Sequence, residues 1–168
     1  MEQTLRTPNA GVLPGTERIC ACTNLRKAAR AIARFYEEHL AAAGLTATQF
    51  AVLRTVERKG RILLSRLAEE LVMDRTSLYR AMAPLLEHRW LRTGGDPLDK
   101  RALAVELTPS GMKKIRAALP CWEKAQKAFL AEFGRANWTG LLGGLTRAVA
   151  SADRLNSRAP GRRTARHE

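Results

Sequence analysis

The chain has 168 residues, 29 Lys plus Arg against 16 Asp plus Glu, and a formal charge of +13. That length suits one domain that buries about two-thirds of its unfolded surface, so neither a disulfide nor a metal is needed for folding. No stretch reaches the roughly 18 uncharged apolar residues of a membrane span, Met1–Leu13 has no signal-peptide pattern, and three Cys without an export signal suit a reducing cytoplasm.

Counts of 27 Ala and 23 Leu against ten Val plus Ile point to a mainly helical protein. Residues 1–15, with Pro8, Pro14, Gly11 and Gly15, read as a flexible arm. Residues 16–45 hold an N-terminal helix, in which Leu25, Ala28, Ala29, Ile32, Tyr36 and Leu40 recur at three and four. Gly44 ends it, and Thr46-Ala47-Thr48-Gln49 forms a capping box for a second helix that buries Phe50, Leu53 and Val56 and stops at Gly60.

Arg61–Leu64 is a short extended bridge, and Ser65 is the expected N-cap of a third helix with Leu67, Ala68, Leu71 and Val72 inward. Asp74 caps a fourth helix, Arg75–Arg89, whose apolar stripe is Leu78, Met82, Leu85 and Leu86, with Pro84 expected to kink it. Thr93-Gly94-Gly95-Asp96-Pro97 is a turn signal. Ala102–Leu107 alternates in polarity and reads as a strand pairing with Leu91–Thr93, a hairpin whose tip carries Lys100-Arg101.

Thr108 caps, and Pro109 opens, a long helix to about Phe133 in which Met112, Ile115, Leu119, Trp122, Phe129 and Phe133 repeat at near-heptad spacing. A last helix, Asn137–Asn156, carries Trp138, Leu141, Leu145, Ala148, Ala152 and Leu155 on one stripe. Residues 157–168 form a basic, disordered tail that holds only +3 of the charge, so the excess belongs to the body of the chain. Nucleic acid is the first partner such a charge suggests and an anionic surface the second.

The middle of the chain is helix, turn, helix and basic hairpin, which reads as a winged helix-turn-helix over residues 46–108. Thr76, Arg80, Ala83 and Glu87 lie opposite the buried stripe of the fourth helix, with Ser77 beside them. The N-terminal half of such a helix enters the major groove, where Thr and Ser reach phosphates or base edges and Arg forks onto guanine. Ser65, Arg66 and Arg75 are further phosphate-contact candidates.

The run Asp99-Lys100-Arg101-Ala102-Leu103-Ala104-Val105-Glu106-Leu107-Thr108-Pro109-Ser110-Gly111 resembles the wing signature of the MarR family, and Leu67-Ala68 and Asp74–Leu78 resemble its helix-turn-helix. The resemblance implies a dimeric, cytoplasmic DNA-binding regulator on a pseudo-palindromic operator, most simply a repressor. It implies that Arg101 reaches the minor groove, oriented by Asp99, and that helices at both ends, including residues 109–156, form the homodimer. Met112, Ile115, Leu119, Trp122, Leu141 and Leu145 are then the interface candidates. Two departures from the family pattern stand out: Trp90 where a Gly is usual, and Pro84.

The family offers two kinds of effector. One is a small aromatic or phenolic acid, bound where the dimer helices meet the DNA-binding lobe. The other is thiol oxidation: Cys22 and Tyr36 have the fourteen-residue spacing of the hydroperoxide-sensing branch, Cys121 sits where some members carry a resolving Cys, and the branch's second Tyr is replaced by Ala47. A nonspecific architectural DNA binder and a redox protein with a protein-facing wing are the rival readings. An enzyme is disfavoured: the chain has no glycine-rich phosphate loop, no H-E-x-x-H and no Cys-x-x-Cys, and no cofactor or metal is implied.

Overall fold

The computed structural model describes residues 19–95 and 102–158. Along the chain run α1 (Ala21–Leu40), a 3-10 turn (Ala41–Ala43), α2 (Ala47–Lys59), β1 (Ile62–Leu63), α3 (Leu64–Glu70), α4 (Arg75–Glu87), β2 (Leu91–Gly95), β3 (Leu103–Leu107), α5 (Pro109–Phe133) and α6 (Arg135–Arg158). The mainly helical class with a hairpin wing is as expected. Residues 1–15 and 159–168, and the wing tip with Asp99, Lys100 and Arg101, lie outside the described residues.

Local chemistry sets most boundaries. Thr46 accepts from the Gln49 amide at 3.1 Å while the Gln49 side chain accepts from the Thr46 amide at 2.9 Å, which completes the capping box of α2. Asp74 caps α4 and Thr108 caps α5, each accepting from an amide three residues on. Ser65 is not a cap: α3 begins one residue earlier, at Leu64, and its cap position is Leu63, with no side-chain hydrogen bond. Ser157 and Arg158, expected in the tail, continue α6.

Three helix ends share one C-terminal motif, in which paired backbone hydrogen bonds close over a residue of positive φ. After the 3-10 turn that residue is Gly44, at φ 60°. After α3 it is Val72, at φ 51°, with Val72 N donating to Glu69 O and Met73 N to Ala68 O. After α4 it is Arg89, at φ 55°, with Arg89 N donating to Leu86 O and Trp90 N to Leu85 O. Val72 therefore points outward, 68% exposed, rather than inward. The position after α4 that favours Gly is Arg89, not Trp90, because only there is the backbone left-handed. Pro84 sits within the last turn of α4.

The wing is a three-stranded antiparallel sheet in the order β1-β3-β2. Ile62 faces Val105 and Leu63 faces Ala104, so the bridge at 61–64 contributes an edge strand. Leu91 faces Leu107, Arg92 faces Glu106 and Gly95 faces Leu103. Gly94 and Gly95 thus belong to β2 rather than to the turn, because β3 extends opposite them. The core gathers Leu40, Phe50, Leu53, Val56, Leu67, Leu78, Met82, Leu85, Leu91, Val105 and Ile115 from helices and sheet into one cluster. That cluster fixes α3, α4 and the wing on one scaffold.

Candidate nucleic-acid interface

The exposed face of α4 is built outward from its buried stripe. Leu78, Met82 and Leu85 are buried, and turning away from them leaves Arg75, Thr76, Tyr79, Arg80, Ala83 and Glu87 exposed. Arg75 and Arg80 make no ion pair with any other described residue. Arg66 on α3 pairs with Glu69 at 2.9 Å, and Ser65 is exposed beside it. Ser77 is half-buried and committed locally, its hydroxyl donating to Asp74 Oδ2 at 2.7 Å. That hydroxyl, with the Ser77 amide, holds the Asp74 carboxyl below its usual range. Of the six helix-turn-helix candidates, Arg75, Thr76 and Arg80 therefore present exposed donors with no partner among the described residues, while Ser77 serves the helix start.

Tyr79 was not among the residues singled out from the sequence. It is 49% exposed, one helical turn from Thr76 and beside Arg80. Its spacing alone marks it as a member of that face.

The wing root carries a second cluster. Glu106 Oε1 accepts from Arg61 Nη1 at 3.1 Å and from Arg92 Nε at 3.0 Å, and Arg61 Nη2 donates to Gly95 O at 2.6 Å. The sequence hid this cluster because it requires β1 as an edge strand. Just before β2, Trp90 stacks on His88 at 4.5 Å and meets Lys114, whose ammonium is 4.3 Å from the ring centre.

The thiol candidates are scattered. Cys22 and Tyr36 lie on one continuous helix, fourteen residues apart, which is about 21 Å along its axis. They cannot touch within a protomer. The Tyr36 hydroxyl instead donates to the Gln126 side chain, and burial raises the phenol's pKa. Cys121 is half-buried against the core. Cys20 is the thiol whose pKa is lowered: it caps α1, and hydrogen bonding to Thr23, side chain first and amide second, favours its thiolate.

Between α1, α2 and α5 lies a cavity of about 280 Å³. Tyr36 and Leu40, Phe50 and Thr55, and Trp122 line it, with Arg54 at one wall. Phe50 and Trp122 stack at 6.0 Å.

The interface candidates divide. Ile115 is fully buried in the protomer's own core, and Leu119 and Trp122 pack against that core, so these three are largely used within one chain. Met112, Leu141 and Leu145 are half-buried. Besides Val72, Tyr79 and Leu103 in the winged-helix region, the larger exposed apolar side chains among the described residues are Ile19, Leu25, Leu142, Val149 and Leu155, near α1's start and along α6. Among the described residues, no helix is long and apolar enough to cross a membrane and no group of three His, Cys, Asp or Glu side chains is placed to hold a metal.

Comparison with known proteins agrees with this geometry. A family model described as a winged helix DNA-binding domain matches residues 45–111. The chain is 34% identical over 86 residues to the transcriptional regulator HosA of Escherichia coli O111:H-, covering 51% of this chain and 64% of that one. It is 36% identical over 78 residues to the multiple antibiotic resistance protein MarR of Salmonella typhimurium, covering 46% of this chain and 54% of the relative. The matches thus span less than two-thirds of either curated relative. Among solved structures, the transcriptional regulator MosR of M. tuberculosis in complex with DNA superposes with a TM-score of 0.73 at 28% identity, over 83% of this chain and 99% of that one.

Proposed function

We propose that the chain is a MarR-type winged helix-turn-helix transcriptional regulator, a reading its similarity to the winged helix model and to HosA, MarR and MosR supports, and that it acts as a homodimeric, sequence-specific DNA-binding repressor in the cytoplasm. The observation that carries this reading is the exposed face of α4, where Thr76 and Arg80 stand on a helix fixed against the core beside a wing, in a chain of charge +13. Thr76 and Arg80 read the major groove; Ser65, Arg66 and Arg75 meet phosphates, and Ser77 holds the start of α4 for them. Arg101, oriented by Asp99 and aided by Lys100, reads the minor groove. Two half-sites about 10 bp apart, or a multiple, match the dimer's twofold axis.

Of the two release routes, the ligand route has a cavity to support it. The space between α1, α2 and α5 is walled by aromatic rings, with the Arg54 guanidinium, which also pairs with Glu57, beside it for a carboxylate. It joins the terminal helices to the DNA-binding lobe, so a small aromatic acid wedged there would shift one against the other. The thiol route lacks an equivalent arrangement within the protomer, since Tyr36 is remote from Cys22.

The test is fluorescence anisotropy on DNA from upstream of the protein's own gene, against scrambled duplex, with and without salicylate or a mild hydroperoxide. A preference of about 10³ or more establishes the specific regulator, and the additive that abolishes it names the route. Equal affinity for duplexes from every candidate promoter would instead support the architectural reading. Arg80→Ala should reduce the preference by about 1–3 kcal/mol if the guanidinium bridges a base bidentately. Equal losses on operator and scrambled DNA would remove Arg80 from base reading.

A further inference from the structure

Among the described residues, a single carboxylate, Glu106, stands between two arginines of the wing root. Arg92 lies directly opposite Glu106 across the β2–β3 ladder, and Arg61 precedes Ile62, which faces Val105, so Arg61 comes level with Glu106 from the other edge. Residues level with one another across strands share a face. On that face the neighbouring positions are the small Gly94 and Ala104. The Arg61 guanidinium runs past Gly94, where an added Cβ would lie 3.6 Å from it, and reaches Gly95 O at 2.6 Å. Both guanidinia then close on the same oxygen, Glu106 Oε1.

Stability does not account for this arrangement. The side chains are 39%, 69% and 28% exposed for Arg61, Arg92 and Glu106, and ion pairs in such solvent contribute little. What the carboxylate does change is the charge that the wing root offers to an approaching polyanion. Two arginines sharing one carboxylate present a single net positive charge instead of two.

We propose that Glu106 is a positioning residue that sets DNA specificity: by holding Arg61 and Arg92 it withholds two cations from the phosphate backbone and keeps sequence-independent affinity low. The proposal rests on the DNA-binding reading above. Phosphate neutralisation supplies nearly all non-specific affinity, through release of counterions. Specificity is the ratio of operator affinity to that background. On an operator, the bases touched by α4 fix the register, so freed arginines find only the phosphates that happen to be in reach. On other sequences the protein slides to whichever register satisfies them. Removing the carboxylate therefore strengthens non-specific binding more than operator binding.

The experiment compares wild type, Glu106→Gln and Glu106→Asp as full-length proteins on a mixed-sequence duplex between 50 and 200 mM KCl. For Glu106→Gln the slope of log affinity against log salt should steepen by about 1–2 per protomer, with tighter binding at low salt. Glu106→Asp, which keeps the charge, should follow wild type. In an Arg61→Gln/Arg92→Gln background, the Gln change should leave the slope where the background set it. A wild-type slope in Glu106→Gln, or weaker binding accompanied by a lower melting temperature, would overturn the proposal and make Glu106 a strut of the wing. Wild type that binds no duplex at any salt would instead remove the DNA reading, a different failure from an unchanged slope in the variant.

Discussion

Val72 closes the tight turn between α3 and α4 with a left-handed backbone, φ 51°, which a β-branched residue adopts only under strain. The turn imposes that angle, because Val72 N and Met73 N must reach back to Glu69 O and Ala68 O. Its side chain is 68% exposed and contributes little packing in return. The left-handed region costs an L-residue about 1–2 kcal/mol, and glycine's extra freedom in the unfolded chain gives part of that back. Val72→Gly should therefore stabilise the protein by about 0.5–1 kcal/mol, read from the urea midpoint at unchanged m-value. A lower midpoint would mean that the Val72 side chain packs usefully after all. The same residue shows why the third helix is overextended when read from sequence: with no Gly at the turn, the apolar pattern of Leu67, Ala68, Leu71 and Val72 simply carries on. Arg89 after α4 hides its turn in the same way, and the two non-glycine turns bracket α4.

The end of α4, the wing and α5 meet at one joint, and Gly111 is its tightest point. A Cβ there would stand 2.0 Å from Trp90 O and 2.9 Å from Leu107 Cδ2. Around it Thr108 Oγ1 donates to Arg89 O at 2.6 Å, Ser110 Oγ to the same oxygen at 2.8 Å, and Thr108 N to Trp90 O at 3.1 Å. The Thr-Pro-Ser-Gly end of the wing signature is thus a contact between elements, in which two hydroxyls satisfy a helix-end carbonyl and a missing side chain admits a backbone. Gly111→Ala should destabilise by at least about 1–3 kcal/mol, since the obstruction is backbone and cannot swing aside. A calorimetric scan within a degree or two of wild type would show that α5 can shift without cost. Elements governed by such local chemistry were legible in the sequence: Thr46, Asp74 and Thr108 announce their helices by oxygens that cap amides three residues on. Elements governed by pairing across the chain were less so. β1 is two residues long and exists only because β3 lies beside it, and Gly94 and Gly95 read as a turn although they are strand. The Arg61–Glu106–Arg92 cluster follows from that pairing and shares its obscurity.

At the scale of the whole molecule, the terminal helices α1 and α6 of one protomer stay largely exposed among the described residues. α6 has 24 residues, none of them buried, and packs on α5. A helix that long is not kept folded by propensity alone; it needs an apolar face covered. Leu142, Val149 and Leu155 on α6 are 49%, 43% and 68% exposed, and Leu25 and Ile19 add to them from the other terminus. α1 itself buries only Leu40, at its far end. The proposed homodimer supplies the cover, and the burial pattern says which substitutions test it. Ile115 is fully enclosed in the protomer's core, so Ile115→Glu should unfold the chain and report nothing about assembly. Leu142→Glu/Val149→Glu should instead dissociate the dimer while leaving the core intact. A twofold axis counts each change twice. At about 1.5 kcal/mol for each apolar side chain withdrawn, the double variant loses roughly 6 kcal/mol of association, about four orders of magnitude in Kd. Light scattering should give a monomer at concentrations where wild type is a dimer, with α6 frayed in the circular dichroism. Anisotropy should show operator binding reduced to single half-sites, since each protomer keeps its own α4 and wing. A variant that stays dimeric by scattering would place the interface on another face and leave the exposed side of α6 without a role.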